Sequence, residues 1–181
     1  MAKISVYVAL ALVVTSSLSV QATSRETELA VWANEAIVST YSYNFKNFLQ
    51  RQKEIAKYFT AKGWTDFSSV FIASKLPEAV NLNSYFVSAV ATLPPKIKAL
   101  DANNWQANMP LLVVYQNPQY QQKQTLEVTI NFTQAPSGQG VRGLAITSLQ
   151  SKVIKPTCKC DLDGDSASPT IDAQEQPPGA Q

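Results

Sequence analysis

The apolar residues of this chain change period once, near Pro77, and that change limits the fold more than any other feature. Before it, Leu29, Trp32, Ala33, Ala36, Ile37, Tyr41, Phe45, Phe48, Leu49, Ile55, Ala56 and Phe59 recur every three or four residues, the spacing of one helix face. Glu28, Asn34, Glu35, Lys46, Asn47, Lys53, Glu54 and Lys57 fall opposite them. Thr40 to Tyr43 is poor in helix formers, so the stretch reads either as one kinked helix or as two in succession. Gly63 stands where a helix C-terminus needs positive φ, and Thr65 suits the N-cap of a short helix over 66–75 that ends before Pro77.

Beyond Pro77 the pattern is extended. Tyr85 to Thr92 is β-branched and aromatic, and Pro94-Pro95 ends it. A short segment over Ile97 to Leu100 meets the turn signal Asp101-Ala102-Asn103-Asn104. Leu111 to Tyr115 is continuously apolar, as in a strand covered on both faces, and Pro110 is expected at its start, at an edge or at a bulge. Leu126, Val128, Ile130 and Phe132 alternate with Thr125, Glu127, Thr129, Asn131 and Thr133, which predicts one core face and one wet face. Pro136 to Gly140 is a turn, and Val141 to Val153 the last strand. Helices followed by strands on short turns imply an α+β domain, an antiparallel meander with the helices on one face.

Both ends differ from this body. Residues 1–22 place Lys3 before an apolar run from Ile4 to Val14 and end in Val20-Gln21-Ala22, the order of a secretory signal peptide cleaved after Ala22. Thr15, Ser16, Ser17, Ser19 and Gln21 make it too dilute for an uncleaved span of about 20 apolar residues. Export would leave residues 23–156 as the domain, with a membrane contact only if the signal persists. From Cys158 to Gln181 one lysine stands against five carboxylates, a net of −4, and large apolar residues are nearly absent, so 157–181 reads as a disordered acidic tail. From Thr23 to Thr157, thirteen cations oppose eight carboxylates, a net of +5. That excess is spread out and does not point to nucleic acid, although the tail could lie against the basic body.

The chain has no histidine, which removes Ser-His-Asp and Cys-His catalysis and the usual zinc ligand. Cys158 and Cys160 lie too close together to staple distant parts of the fold, and a bridge to another chain is the alternative to two idle thiols. Asp161-Leu162-Asp163-Gly164-Asp165 looks like the opening of a calcium loop, but its glycine is in the fourth place where the sixth is needed. The sequon Asn131-Phe132-Thr133 falls inside a strand and reads as β structure. No phosphate-binding or dinucleotide glycine pattern occurs, so no cofactor is expected. The body carboxylates fall on wet faces or at helix starts. Trp32, Tyr41, Tyr43, Phe45, Phe48, Trp64, Phe67, Trp105 and Tyr115 are either core or the lining of an apolar groove between helices and sheet.

Four phrases carry a resemblance: AVWANEAIVSTYSYNF (residues 30–45), YFTAKGWTDF (58–67), SAVAT (88–92) and WQANMPLLVVYQ (105–116). Together they resemble the DotI/IcmL family, an inner-membrane component of type IVB secretion systems related to TraM proteins of conjugation machinery. The resemblance implies a periplasmic domain similar to the VirB-type assembly domain and the nuclear-transport-factor fold, a curved antiparallel sheet with helices packed on it. It implies a non-enzymatic scaffold that contacts itself and other channel subunits. The matched residues Trp32, Asn34, Glu35, Tyr41, Gly63, Trp64, Met109, Pro110 and Tyr115 would then serve the fold or an interface. The chain departs from the family at its start, where members resemble a cytoplasmic segment and a full transmembrane helix, and in its cysteine-containing tail. A periplasmic component or accessory of a type IVB apparatus is the reading these features favour. The alternative is a periplasmic domain binding a small apolar ligand.

Overall fold

A computed structural model describes residues 18–154, with side chains from Ser24 onward. The hydrophobic run of the signal-like segment and the acidic tail lie outside the described residues. The long helical stripe proves to be two helices, α1 (Leu18–Thr40) and α2 (Phe48–Ala56). The poor helix formers between them, Ser42 and Tyr43 among them, supply the short strand β1 (Tyr43–Asn44). Arg51 closes the break by donating from its guanidinium to the carbonyls of Ser39 and Ser42, both at 3.2 Å, so the open end of α1 is capped from α2.

Helix α3 (Ala61–Ala73) starts earlier than the sequence suggests. Its N-cap is Thr60, whose hydroxyl accepts from the Gly63 N–H at 3.1 Å, and not Thr65. Gly63 is therefore inside the first turn of a helix and does not end one. A further helix, α4 (Leu76–Leu82), was hidden by Pro77, which sits in its first turn, where a missing N–H costs nothing.

The strands are β2 (Phe86–Ala91), β3 (Lys96–Ala99), β4 (Asn104–Gln116), β5 (Gln121–Gln134) and β6 (Leu144–Ile154). They form one six-stranded sheet, with every pairing antiparallel, in the order β1-β2-β4-β5-β6. β3 pairs with β4 in line with β2. β4 begins well before Leu111 and alternates strictly in burial, so Leu112 and Val114 face outward and only Leu111, Val113 and Tyr115 face the core. Pro110 lies within β4, neither at its start nor at a bulge. Its carbonyl accepts from Thr92 N–H where the β2 ladder stops, so its lack of an N–H falls in the gap before β3 takes over. The inner faces of β4, β5 and the start of β6 bury Ala107, Met109, Leu111, Val113, Val128, Ile130, Phe132 and Ile146 against Trp32, Ala33, Ala36 and Ile37 of α1. This is the expected α+β architecture, helices on one face of a curled antiparallel sheet.

Candidate functional site

Two of the residues that the sequence singles out, Trp32 and Glu35, meet at the junction of α1 with the loop joining β5 to β6. Trp32 and Glu35 are three apart and share a face of α1. Trp32 is 1% exposed and donates its indole N–H to the Val141 carbonyl at 2.9 Å. Its ring packs on Phe132 at 4.9 Å between centroids, and Phe132 packs on Trp105 at 5.7 Å. Glu35 forms an ion pair with Arg142 and accepts from the Tyr58 hydroxyl at 2.6 Å. Burial and then the Glu35 carboxylate raise the Tyr58 phenol above its ordinary range. The loop so held has positive φ at Gly138, Gly140, Arg142 and Gly143. Gly140 has no room for a side chain, since a Cβ there would meet the Leu144 carbonyl oxygen at 2.3 Å.

A second contact locks the start of β6. Thr60 N–H donates to the Ile146 carbonyl at 2.9 Å, and Ile146 N–H donates to the Tyr58 carbonyl at 2.7 Å. Ile146 opposes Phe132 while Ser148 opposes Asn131, which leaves Thr147 as the extra residue of a β-bulge. Gly63 packs on that bulge. A Cβ at Gly63 would sit 2.6 Å from the Ile146 oxygen and 2.9 Å from the Thr147 oxygen, both backbone atoms. The glycine is there for close approach of a helix to a strand, and no positive φ is involved.

The other expected residues are distributed through the core. Met109 is fully buried on β4, and Tyr115 is buried with its ring edge-on to Tyr85 at 6.4 Å. Trp64 is half-buried between Phe59 and Phe67. Tyr41, near the end of α1, is hydrogen-bonded to Ser151, and burial pushes its phenol up to about 12. Asn34 is half-buried on α1 with no side-chain hydrogen bond among the described residues. Cys158 and Cys160 lie outside the described residues. Sequence reasoning missed Arg142 and Tyr58, which reach Glu35 across 107 and 23 residues of chain. The triple glycine loop was the one available signal for the first of them.

Of the aromatic residues, Trp32 of α1 and Trp105 of β4 border a groove, and most of the others pack on one another. Trp64, Phe67, Phe71, Phe48 and Tyr43 form a run of ring contacts at 5.6 to 6.1 Å, some stacked and some edge-on. That groove, of about 470 Å³, lies beside the α1–loop junction, and Leu29, Val31, Arg25, Glu28, Arg142 and Leu144 complete much of its lining. Arg25 lies over the Trp105 ring at 5.3 Å. Among the described residues no group of three His, Cys, Asp or Glu side chains could hold a metal ion. Asn131, the sequon residue, accepts from Gln106 at 3.0 Å and donates to Ser148 at 3.1 Å on the outer face of the sheet.

The family model for the DotI/IcmL inner-membrane complex component of the type IVB secretion system matches residues 11–153. An IcmL-like type IV secretion system protein from Legionella pneumophila subsp. pneumophila strain Philadelphia 1 is 60% identical, with a TM-score of 0.72 over 74% of this chain and 96% of that one. The periplasmic domain of DotI is 30% identical, with a TM-score of 0.65 over 70% of this chain and 94% of that one. VirB8 of Agrobacterium tumefaciens, at 11% identity and a TM-score of 0.51 over 74% and 94%, shares the fold alone. No curated protein matches.

Proposed function

The chain belongs to the DotI/IcmL family of type IVB secretion inner-membrane components, and we propose that it is a periplasmic, non-enzymatic member or accessory of such an apparatus, acting through protein contacts. The observation that carries this is the 60% identity to an IcmL-like secretion protein over nearly all of that protein's length. The geometry supports it: the side chains that stand out chemically, Trp32, Glu35, Tyr58 and Arg142, are spent on one another and on backbone groups, as structural anchors are. The groove beside them has a mostly apolar lining that includes Leu29, Val31, Trp32 and Trp105, with Arg25, Glu28 and Arg142 at its border, and the family match favours protein contacts over a small ligand there.

Placement in the periplasm rests on the signal-like residues 1–22 and on the periplasmic domain of DotI as a relative. No helix of the described residues is long and apolar enough to cross a membrane. The partners are other subunits of the apparatus or further copies of this chain. Affinity purification from gently solubilised envelopes of the native bacterium tests the reading, with the mature N-terminus read by mass spectrometry from the same sample. Recovery of type IVB subunits with a chain starting at Thr23 is expected. A chain recovered without any of those subunits, under conditions that keep the core complex together, overturns the role.

A further inference from the structure

β6 is a terminal strand of the sheet, and only its start is covered on the side away from β5. Phe59 bridges to Ile146 there, with Tyr58 and Thr60 holding the Ile146 backbone. From Ser148 to Ile154 no other segment of the described residues pairs with the strand, so the backbone groups that point away from β5 form a free run of seven residues. Such an edge is usually guarded by a proline, a bulge, charged side chains or shortness. The other edges of this sheet are guarded. β1 has two residues, β3 has four with Lys96 and Lys98 among them, and the Ala89 amide of β2 is taken by the Ser42 hydroxyl at 3.3 Å. The free part of β6 is not. Its bulge falls at Thr147, within the covered start, and Ser148-Leu149-Gln150-Ser151-Lys152-Val153-Ile154 holds no proline and one charge, which stands opposite Glu127.

The side chains of this free run fit a copy of themselves. Val153 pairs with buried Leu126 and Leu149 with buried Ile130, so both face the helix side of the sheet. Val153 is nevertheless 64% exposed, because nothing among the described residues lies over it beyond the edge. Two identical edges related by a twofold axis run antiparallel, and facing residues must point to the same side of the sheet, so the axis passes through a residue. Ser151 is the midpoint of the free run. Centred there, the pairing sets Leu149 against Val153 twice on the helix side and Gln150 against Lys152 twice on the outer side. Centred on Lys152, it would set two lysines directly opposite, with Cβ atoms about 5 Å apart, which is destabilising. Centred on Gln150, it would run Ile154 into Ile146, whose backbone is already taken.

We propose that the free edge of β6 pairs antiparallel with the same edge of a second copy of this chain, about Ser151, and joins two six-stranded sheets into one. The pairing satisfies backbone donors and acceptors on both strands and covers Val153 with the partner's Leu149. Seven residues from each copy make a contact at the small end of specific interfaces, with a dissociation constant on the order of 100 µM. The contact belongs to the chain alone and does not depend on the secretion role, so its failure would leave the envelope purification untouched.

The test uses the full chain with Cys158→Ser and Cys160→Ser, which remove other disulfides. Sedimentation equilibrium measures the association, and Gln150 supplies charge tests of opposite sign. It is exposed, so its substitution leaves the core intact. Gln150→Glu sets a carboxylate against the partner's Lys152 twice and is expected to tighten the dimer about fivefold, whereas Gln150→Lys is expected to loosen it about fivefold. Cysteine linkage then reads the register. Under mild oxidation with oxidised glutathione, a mixture of Gln150→Cys and Lys152→Cys chains is expected to link about tenfold faster than either chain alone, because directly opposed Cα atoms fall within disulfide reach and diagonal ones, roughly 7 to 8 Å apart, do not. No association up to about 1 mM, equal dissociation constants for the two charge variants, or linkage no faster in the mixture than in either chain alone overturns the proposal.

Discussion

At its start β6 is gripped by α1, by the segment leading into α3 and by its own bulge, whereas at Ile154 it ends beside an open sheet face. The grip uses groups that cannot be exchanged: an indole N–H on Val141, a carboxylate on Arg142, and a glycine that lets α3 touch the Ile146 and Thr147 backbone. The open end presents apolar area and scattered lysines, and a hydrogen bond between Tyr41 and Ser151 ties it to the end of α1. Seven of the nine residues matched to the family are part of the grip, lie in the buried core or pack against it, and the exceptions are Asn34 and Pro110. The anchored end is thus held by specific partners, while the outer face beside the other end stays exposed.

Substitutions at the two ends should separate these roles. Trp32→Ala removes a fully buried ring and the donor to Val141, and is expected to cost about 4 kcal/mol in urea unfolding. Gly63→Ala should cost roughly 2 kcal/mol, although alanine favours an ordinary helix by about 1 kcal/mol. A stabilised Gly63→Ala would refute the close contact of α3 with the bulge.

Tyr41 gives a pH test of the far end of α1. Its phenol is neutral when folded and its pKa lies above the unfolded value, so its contribution is complete below pH 10. That contribution is lost as pH rises through about 12. Unfolding followed from pH 9 to 12 should show stability falling, with a shallower fall in Tyr41→Phe. Tyr43, Tyr115 and Tyr58, also raised by burial, contribute to the remainder.

Glu35→Gln keeps the shape but loses the charge opposite Arg142, and about 1 kcal/mol is expected, since this pair is partly exposed. Val90→Ser, on the open face, should change stability by less than about 0.5 kcal/mol. A loss there as large as at Trp32 would erase the distinction between the two ends.

Much of this architecture is legible in residue periods. Leu126, Val128, Ile130 and Phe132 alternate and are all buried, and Tyr85 to Thr92 contains β2. What failed was the reading of single residues whose meaning depends on distant partners. Gly63 looks like a helix end because glycine so often is one, yet its reason lies in Ile146 and Thr147, more than eighty residues away. Pro77 looks like a terminator, yet it opens α4. The first half of β4 was hidden because Asn104, Gln106 and Asn108 take its outer face, where amides hydrogen-bond across strands to Asn131 and Thr129. Glu35 and Arg142 give no local sign of each other.

The difference between the two ends of β6 is tested most directly by amide hydrogen exchange along that one strand. The Ile146 amide, bonded to the Tyr58 carbonyl, should exchange only with global unfolding, while alternate amides of residues 149–154, on the open edge, should exchange at least a hundredfold faster, about 3 kcal/mol less protected. Uniform protection from Leu144 to Ile154 would contradict the account, because it would mean that the far end of the strand is held as firmly as its start.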